Sequence, residues 1–440
     1  MQNICQSLSV FEAPLTALKA HPNNARTHSK HQIRQIANSI RMFGFTNPVL
    51  VNQENTIMAG HGRVAAAELI GMDKVPTIRI EHLSSDQIRA YVLADNKLAE
   101  NAGWDKSILA IELQHLTLSS EIPDITVAGF EVGEIDLIIN SITESSEEDE
   151  EQFDRPTIPI TQQGDHWKLG RHQIFCGSSL EEHSYKSLLG DHRAAAVFSD
   201  PPFNVKIDGH VSGNGRIRHK EFAMASGEMT EAEFIEFLRK SLELMSKYSF
   251  AGAVHYICMD WRHQSELLLA SKDIYDELLN VCVWVKNTGG MGSFYRSQHE
   301  LVYVYRTPGG RHRNNVQLGK YGRNRTNVWQ YPNASTFSKV GEEGNLLALH
   351  PTVKPVAMVA DAILDCTKRG DIVVDGFLGS GTTLMAAERV GRICHGIELQ
   401  PLFVDVAIQR WQCMTGEIAI HATSGKSYTE VATDREVPLV

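Results

Sequence analysis

The sequence predicts an α/β protein in which a smaller N-terminal α/β unit precedes a larger, doubly wound sheet. Three observations lead to this prediction. The chain has 440 residues, more than a single hydrophobic core usually supports. An acidic run at 142–154 separates two regions of ordinary composition. Short, β-branched apolar runs alternate with helical patterns through the second region, which is typical of strands buried on both faces of a sheet.

The bulk composition is that of a globular protein, with 42% hydrophobic and 22% charged residues. No apolar run approaches the roughly 20 residues that cross a bilayer, and the N-terminus lacks a basic, apolar leader. The seven cysteines are scattered and form no CxxC pair, which argues against a disulfide framework or a cysteine zinc site. We therefore expect a cytoplasmic protein with no membrane contact and no metal.

The net charge of −11 is unevenly distributed. Residues 142–154 contain seven acids and no base, which predicts a linker at 141–156 between domains 1–140 and 157–440. Residues 306–325 contain six Lys or Arg and no acid, and residues 206–220 contain four bases and one acid. These two stretches are candidates for phosphate contacts, although solvated loops would have the same composition.

Helical spacing of apolar residues and short extended runs predict the elements of the N-terminal unit. They are a helix at His31–Met42, strands at Val49–Val51 and Thr56–Met58, a helix at Val64–Ile70 and a strand at Pro76–Ile80. The same patterns predict the strands of the second region: Gln173–Cys176, Ala195–Phe198, Val254–Cys258, Val281–Val285, Leu301–Tyr305, Ile372–Val374 and Ile393–Ile397. Predicted helices between them include Glu231–Met245 and Val356–Cys366.

A glycine-rich turn follows one predicted strand: Asp375-Gly376-Phe377-Leu378-Gly379-Ser380-Gly381 leads to Thr382-Thr383 at a helix start. Glycines let the backbone approach a ligand closely, and a helix N-terminus presents free N–H groups. Glu398, on the next predicted strand, is suited to accept hydrogen bonds from ribose hydroxyls. The combination favours an adenosine cofactor, and the absence of GxGxxG spacing argues against a dinucleotide.

Another predicted strand leads into Asp200-Pro201-Pro202-Phe203. Two prolines have fixed φ and no N–H, so the Asp200 carboxylate and the Pro201 carbonyl remain free as acceptors. Two fixed acceptors can hold both hydrogens of a planar amine and make its nitrogen more nucleophilic, while Phe203 offers a face for a base. Alone, the tetrapeptide is equally well explained as a stiff turn. Beside a cofactor turn it favours a reactive site.

These motifs resemble those of amino-methylating DNA methyltransferases, which act on adenine N6 or cytosine N4. Asp200-Pro201-Pro202-Phe203 resembles the catalytic motif, and Asp375 to Thr383 resembles the S-adenosylmethionine motif. His350-Pro351-Thr352-Val353-Lys354-Pro355 resembles the segment that helps to hold the methionine end. Trp167 to Ser179 resembles the strand and turn beside the cofactor adenine. The order, with the catalytic motif first, is similar to the circularly permuted β class.

The resemblance covers about residues 163–415 and implies a Rossmann-like methyltransferase sheet, S-adenosylmethionine as cofactor, and a target base taken out of the duplex. It implies a catalytic role for Asp200, Pro201, Pro202 and Phe203. It implies cofactor binding by Ser178, His350, Thr352, Lys354, Asp375, Phe377, Gly379, Ser380, Gly381, Thr382, Thr383 and Glu398. Two positions depart from the family: Gly376 replaces a usual Pro, which should loosen the turn, and Ser178 replaces a frequent Asp, which puts a hydrogen bond to the adenine in doubt.

Residues 306–346 lie where the β class places its target-recognition region. The candidate DNA contacts in and before this region are Lys206, Arg216, Arg311, Arg313, Lys320, Arg323 and Arg325. Trp329 and Tyr331 are equally candidates for packing.

Residues 8–100 resemble the ParB-like domain of chromosome-partition proteins. The similar residues are Phe43-Gly44, Asn47 to Val49, Ala59 to Arg63 and Ala94 to Lys97. Partition proteins have a GERR tetrapeptide that contacts a nucleoside triphosphate, whereas this chain has Gly60-His61-Gly62-Arg63. We expect a phosphate site at Gly60, His61 and Arg63, for a nucleotide or for DNA. The alternative is a module that assists DNA binding or assembly without a nucleotide.

The sequence therefore predicts a site-specific DNA methyltransferase for adenine N6, of bacterial or phage type and with a restriction-modification role. Double-stranded DNA is the expected partner, and a homodimer is a candidate assembly. The first-position Asp200 favours adenine, where serine would favour cytosine. Three alternatives stay open: cytosine N4 methylation, methylation of RNA or a protein glutamine, and a ParB-like DNA-binding protein with a degenerate methyltransferase domain.

Overall fold

The computed structural model describes residues 8–22, 24–101, 103–118, 121–122, 124–143, 158–204, 227–287, 289, 294–319, 323–331 and 354–437. The chain divides into two compact units, Met1–Thr143 and Glu144–Val440. The predicted acidic linker at 141–156 lies outside the described residues from position 144 onward. No helix in the described ranges combines the length and the apolar character needed to span a membrane.

The N-terminal unit has a four-stranded sheet with the order β1-β4-β2-β3 and helices around it. Strand β2 is parallel to β4, and the β1–β4 and β2–β3 pairs are antiparallel. Its strands and α-helices are β1 (Val10–Pro14), α1 (Lys30–Phe43), β2 (Val49–Val51), β3 (Ile57–Ala59), α2 (His61–Leu69), β4 (Lys74–Arg79), α3 (Ser85–Glu100), α4 (Lys106–Leu118) and α5 (Val132–Thr143).

Local signals explain how α1 and the β2–β3 hairpin form. The Ser29 side chain accepts a hydrogen bond from Gln32 N, which caps the N-terminus of α1, and Gly44 ends the helix with a φ of 79°. The hairpin turns through Asn55, whose φ is 60°. Both predicted helices and all three predicted strands of this unit are confirmed, with ends that shift by a few residues.

The C-terminal unit has a ten-stranded mixed sheet with α-helices on both faces. Its strands and α-helices are β5 (His166–Leu169), β6 (His172–Cys176), α6 (Glu182–Leu189), β7 (Ala194–Ser199), α7 (Glu231–Lys247), β8 (Ser249–Met259), α8 (Gln264–Ser271), β9 (Glu277–Val285), β10 (His299–Arg306), β11 (Val328–Gln330), α9 (Val356–Cys366), β12 (Ile372–Asp375), α10 (Thr382–Arg389), β13 (Ile393–Glu398), α11 (Pro401–Thr415), β14 (Ile420–His421) and α12 (Tyr428–Asp434).

The strand order is β11-β9-β10-β8-β7-β12-β13-β6-β5-β14. The five central strands, from β8 to β6, are parallel to one another. From β7 the chain continues outward to β8, whereas from β12 it continues in the opposite direction to β13. The two strands are adjacent, so a topological switch point lies between their carboxyl ends, where open α/β sheets bind ligands.

Two hydrophobic clusters cover the two faces of this sheet. Helices α6 to α8 contribute to one cluster, and α9 to α12 contribute to the other. Strand β7 alternates between them, since Ala196 and Phe198 belong to one cluster and Val197 to the other. The doubly wound sheet predicted from the sequence is confirmed, with antiparallel strands at both margins as an addition.

Candidate functional site at the switch point

The two predicted halves of the site lie at adjacent strand ends. Asp200 follows β7 and Asp375 ends β12, and these strands pair in parallel. The last residue of β7, Ser199, is buried, and its Oγ donates a hydrogen bond of 3.4 Å to Asp375 Oδ1. Because this contact joins the end of one strand to the end of the other, the reactive tetrapeptide and the glycine-rich turn are held side by side.

The glycine-rich turn is built around the Asp375 carboxylate. Asp375 accepts hydrogen bonds from Thr383 Oγ1 at 2.6 Å and from Phe377 N at 3.0 Å. Gly381 begins α10 with a φ of 90°, and a Cβ on it would lie 2.8 Å from the Cβ of Ala407. A glycine is therefore required at this position by both conformation and space.

Glu398 ends the neighbouring strand β13 and faces the same turn. Its two carboxylate oxygens accept hydrogen bonds from Gly379 N and Gln400 N, each at 2.8 Å. Burial raises the pKa of Glu398 and raises the pKa of Asp375 to about 7. Two buried acids side by side fit a ligand that carries positive charge and hydroxyl donors.

The two departures from the methyltransferase pattern have structural explanations. A Cβ on Gly376 would lie 3.3 Å from both Met245 Sδ and Tyr185 Oη, so a larger residue requires these buried side chains to move. The Ser178 hydroxyl is used locally, because it accepts a hydrogen bond from Leu180 N at 3.2 Å. Ser178 therefore caps the turn after β6.

The Asp200 carboxylate has one bound and one free oxygen. Oδ2 accepts a hydrogen bond of 2.5 Å from Lys354 Nζ. Oδ1 is buried and has no hydrogen-bond partner among the residues that the structure describes. Leaving a buried acceptor unpaired costs about 1–3 kcal/mol, so a donor on a ligand would be stabilised there.

The loop after Asp200 is fixed by Asn204, which adopts a φ of 54°. Its amide Nδ2 donates to Met229 O at 2.9 Å, and its Oδ1 accepts from Gly227 N at 3.0 Å. Residues 205–226, which include the predicted DNA contacts Lys206 and Arg216, are outside the described part of the chain.

Lys354, which the sequence predicted to bind the cofactor, lies beside the tetrapeptide. Its ammonium pairs with Asp200 and also lies 3.0 Å from Glu300 Oε2, and cofactor binding by Lys354 stays a prediction. It lies 5.6 Å from the centre of the Phe203 ring, within the range of a cation–π contact. His350 and Thr352 lie outside the described residues.

The structure corrects the predicted DNA contacts Arg323 and Arg325. Arg323 is 7% exposed, and Arg325 is mostly buried, because both guanidinium groups pair with carboxylates of α9. Arg323 Nη2 lies 2.6 Å from Asp365, and Arg325 Nη1 lies 2.8 Å from Asp361. These arginines anchor the chain to a helix instead of facing a duplex.

Trp329 and Tyr331, for which packing was the alternative to a DNA contact, belong to the same buried assembly. Trp329 is 5% exposed and lies under the guanidinium of Arg325, 5.3 Å from its ring centre. The Tyr331 hydroxyl donates a hydrogen bond of 2.5 Å to Asp361 Oδ2. The packing alternative is confirmed for both residues.

Arg311 and Arg313 are exposed, but they lie at the edge of the sheet opposite Asp200. They follow β10, which runs antiparallel to β8, and the backbone of Arg311 packs against Gly252 near the start of β8. Gly252 is six residues before Cys258, which lies beside Asp200. At 3.3 Å per residue, Arg311 is therefore about 20 Å from the edge where Asp200 lies. The sequence predicted Arg311 and Arg313 as DNA contacts because residues 306–346 lie where the β class places its target-recognition region, and DNA binding by these two arginines stays a prediction. Lys320 lies outside the described residues.

Exposed aromatic residues that the sequence did not predict lie at the edge of the sheet where Asp200 is found. The connection from β9 to β10 starts and ends at this edge, since β9 ends and β10 begins beside the carboxyl end of β8. It contains Phe294 and Tyr295, which are 86% and 82% exposed. Trp261, just after β8, is 46% exposed and donates a hydrogen bond to Ser297 Oγ at 3.1 Å. The sequence signal that could have identified them is the pair of adjacent aromatic residues between a lysine and an arginine.

The N-terminal unit has a cavity of about 540 Å³ at its predicted phosphate site. Gly60, His61 and Arg63 line it at the start of α2, together with Arg26 and His28. Arg63 Nε is buried and has no hydrogen-bond partner in the described part of this unit. Burial lowers the pKa of His61, and its Nε2 accepts a hydrogen bond from His21 N at 3.2 Å. The predicted residues thus lie together in one cavity.

A doubly wound sheet with acids and a glycine-rich turn at its switch point defines a class of proteins that bind an adenosine-containing cofactor. Family comparison gives the particular family. Residues 194–409 match the DNA methylase family, and residues 1–97 match the ParB N-terminal domain. The chain therefore joins a ParB-like N-terminal domain to a domain of the amino-methylating DNA methylase family, whose cofactor is S-adenosylmethionine.

Individual relatives match one unit each. The ParB-like nuclease domain-containing protein YnaK of Escherichia coli is 46% identical over 82 residues, which cover 19% of this chain and 94% of YnaK. The type II methyltransferase M.ScaI of Streptomyces caespitosus is 33% identical over 110 residues, 24% of this chain. That match spans 36% of M.ScaI. Among solved structures, the cytosine-N4-specific PvuII DNA methyltransferase has a TM-score of 0.43 and 16% identity, with coverage of 64% and 94%.

Proposed function

We propose that the chain transfers a methyl group from S-adenosylmethionine to the exocyclic N6 amine of adenine in DNA. The observation that carries the proposal is the free, buried Oδ1 of Asp200 next to the glycine-rich turn. It supplies an acceptor for an amine hydrogen at the point where the cofactor turn ends.

The residues of the chain act mainly by positioning. Asp200 Oδ1 accepts one hydrogen of the target amine, and the Pro201 carbonyl is suited to accept the other. Holding both hydrogens localises the lone pair on the nitrogen and points it toward the turn at Asp375. Phe203 offers a ring face to the extruded base, so that stacking offsets part of the cost of leaving the duplex. The amine proton leaves toward Asp200 as the nitrogen gains positive charge.

Asp375, Glu398 and the backbone of Gly379 to Gly381 would hold the cofactor. The fit is supported by the donor set, since Glu398 keeps lone pairs for ribose hydroxyls and both acids suit a cation. When bound, the cofactor supplies an activated methyl group on a sulfonium. The side chains then need only align the amine with that methyl group and exclude water.

The choice of adenine over cytosine N4 depends on the first residue of the tetrapeptide. Asp200 is an acid where the cytosine enzymes of this family favour serine. A carboxylate accepts a hydrogen bond without offering one in return, which suits a strongly nucleophile-activating role.

The test is to incubate the protein with cofactor labelled in the methyl group and with unmethylated DNA, and then to digest the DNA to nucleosides. We expect label in N6-methyl-2′-deoxyadenosine, since the product in DNA is the 2′-deoxynucleoside. Label in N4-methyl-2′-deoxycytidine instead would replace adenine with cytosine, and no label in DNA would contradict a DNA methyltransferase. In Asp200→Ala we expect methylation to fall at least a thousandfold while cofactor affinity stays within about threefold, because the acceptor is lost but the turn is intact.

We further propose that the cavity of the N-terminal unit binds a phosphate group, of a nucleotide or of DNA. The unpaired Nε of Arg63 and the start of α2 support this. Calorimetric titration with CTP, ATP and a short duplex distinguishes the ligands, with Arg63→Met as the control. No binding to the wild type at millimolar nucleotide, together with duplex binding that Arg63→Met leaves unchanged, would contradict the phosphate site.

A further inference from the structure

Four charged side chains from four parts of the fold meet in a row beside the tetrapeptide. They are Asp200 after β7, Lys354 before α9, Glu300 in β10 and Lys286 after β9. Lys354 Nζ binds Asp200 Oδ2 at 2.5 Å and lies 3.0 Å from Glu300 Oε2. The other oxygen of Glu300 accepts a hydrogen bond from Lys286 Nζ. The charges alternate along the row and sum to zero.

We infer that Lys286, Glu300 and Lys354, termed here the Lys–Glu–Lys bridge, position Asp200 as an ionised acceptor with a single free oxygen. The inference rests on the proposed methyltransferase function and adds Glu300 and Lys286 as positioning residues for it. The motif resemblance assigns no role to either residue.

The first part of the argument concerns the charge of Asp200. Burial raises the pKa of this carboxyl, and a protonated carboxyl would offer a donor on one oxygen where the amine needs an acceptor. The ammonium groups of Lys354 and Lys286 oppose the effect of burial, whereas Glu300 adds to it. Among the residues that the structure describes, the acid Asp375 and the thiol of Cys258, whose pKa burial raises, also face Asp200. The two ammonium groups of the bridge are therefore the positive charges that favour the ionised form of Asp200.

The second part concerns the charge of Lys354 itself. Its side chain is 4% exposed, and a buried ammonium is stable only with enough opposing charge. Asp200 must share its charge with the substrate, so Glu300 supplies a second, permanent partner. The ammonium groups of Lys354 and Lys286 hold the pKa of Glu300 at about 2, which keeps it ionised at any physiological pH.

The third part concerns geometry. Lys354 binds Oδ2 and leaves Oδ1 without a partner, so the carboxylate offers the amine one defined oxygen. The same ammonium lies 5.6 Å from the Phe203 ring and 5.9 Å from the Trp284 ring. Trp284 is directly across from Glu300 in the β9–β10 pair, so the two strands fix the position of the bridge.

Stability alone gives a poor reason for this arrangement. A row of charges that is buried or partly buried costs more desolvation than apolar side chains of similar size, and replacing such groups often stabilises a protein. A costly charge network in contact with a carboxylate of which one oxygen lacks a partner among the described residues points to a role in the reaction.

The experiment compares the pH dependence of kcat in Lys354→Met and Glu300→Gln with that of the wild type. Without Lys354 the acidic limb should move to higher pH by at least one unit, since Asp200 loses its nearest cation. Without Glu300 it should move to lower pH, since a nearby negative charge is removed. We expect kcat at pH 7 to fall at least tenfold in Lys354→Met with KM for the cofactor within threefold, and Lys354→Arg to restore the wild-type limb. Lys286→Met, with an upward shift, replaces Lys354→Met if that variant does not fold.

The protonation of Asp200 is also measured without turnover, by infrared spectroscopy. The C=O absorption of the protonated carboxyl is assigned to Asp200 because Asp200→Asn removes it. Limbs and absorption midpoints that shift in opposite directions in the two variants support the inference. If the wild type methylates DNA but neither midpoint moves, the bridge is only structural and the inference is wrong. If the midpoints move but the wild type methylates no DNA, the proposed function fails while the positioning of Asp200 stands.

Discussion

At the scale of single residues, the same physical event, burial of a carboxylate, has different chemical results. The Asp200 side chain is partly buried beside a lysine, and one of its carboxylate oxygens has no partner among the described residues. Asp375 is buried among a hydroxyl and a backbone N–H, and its pKa rises to about 7. The hydrogen bonds at Asp375 favour the charged form but do not cancel the desolvation. In the proposed function, Asp200 accepts a hydrogen of the amine and Asp375 faces the cationic cofactor.

Cofactor affinity should therefore depend on pH through Asp375. A cationic ligand binds the ionised carboxylate better, and with a pKa of about 7 this form is scarce at pH 5.5 and prevalent at pH 7.5. We expect the dissociation constant of S-adenosylmethionine to fall roughly 25-fold across this range, because the ionised fraction of Asp375 rises from about 3% to about 76%. Calorimetry at four pH values measures it. In Asp375→Asn the dependence should flatten, and an equally steep dependence in that variant would exclude Asp375 as its source.

At the scale of elements, the carboxyl ends of the strands bring distant motifs together. The sequence predicted the tetrapeptide after β7, the turn after β12 and Glu398 on β13 from local patterns, and all three meet at one edge. It did not predict the direction of β10. That direction places Glu300 at the site and Arg311 at the opposite edge. Local residue patterns report a strand, but its orientation depends on pairing with residues far along the chain, which a single sequence does not display.

The two basic stretches should accordingly differ in their effect on DNA binding. Lys206 and Arg216 follow the catalytic loop, whereas Arg311 and Arg313 lie at the far edge. Each lost phosphate contact reduces the slope of log K against log salt by about 0.9. We expect the Lys206→Ala/Arg216→Ala variant to reduce the slope by about 2. The Arg311→Ala/Arg313→Ala variant removes the same net charge and is the matched control. A larger reduction of the slope in the control would show that DNA binds at the opposite edge of the sheet.

At the scale of the whole molecule, one chain contains two units with different folds. The N-terminal unit has a small sheet and a cavity whose lining includes two arginines and two histidines, and the C-terminal unit has the ten-stranded sheet and the switch point. The sequence predicted this division from charge and its fold classes from periodicity, because both signals are local and repeated. Arg323 and Arg325 were predicted as DNA contacts, but they form ion pairs with α9. Composition reveals a basic stretch, but it does not reveal acids that approach it from another element.

The stability of the C-terminal unit should decrease as the solution is acidified, because it buries neutral histidines. Burial lowers the pKa of His255 to about 3, and its ring nitrogens are hydrogen-bonded to Ser249 Oγ and the Tyr275 hydroxyl, each at 2.9 Å. The unfolded chain binds a proton at this ring below about pH 6.5, whereas the folded chain does not until about pH 3, so stability falls as pH decreases through this window. Between pH 7.5 and 5.5 the expected loss of unfolding free energy from one such histidine is about 1.4 kcal/mol.

Urea unfolding followed by tryptophan fluorescence reports mainly on the C-terminal unit, because five of the six tryptophans lie in it. His255→Asn should be less stable than the wild type at pH 7.5, but it should lose about 1.4 kcal/mol less on acidification. His192→Asn, at an exposed histidine of the same unit, should follow the wild type. Equal losses in His255→Asn and the wild type would show that His255 accepts its proton in the folded state.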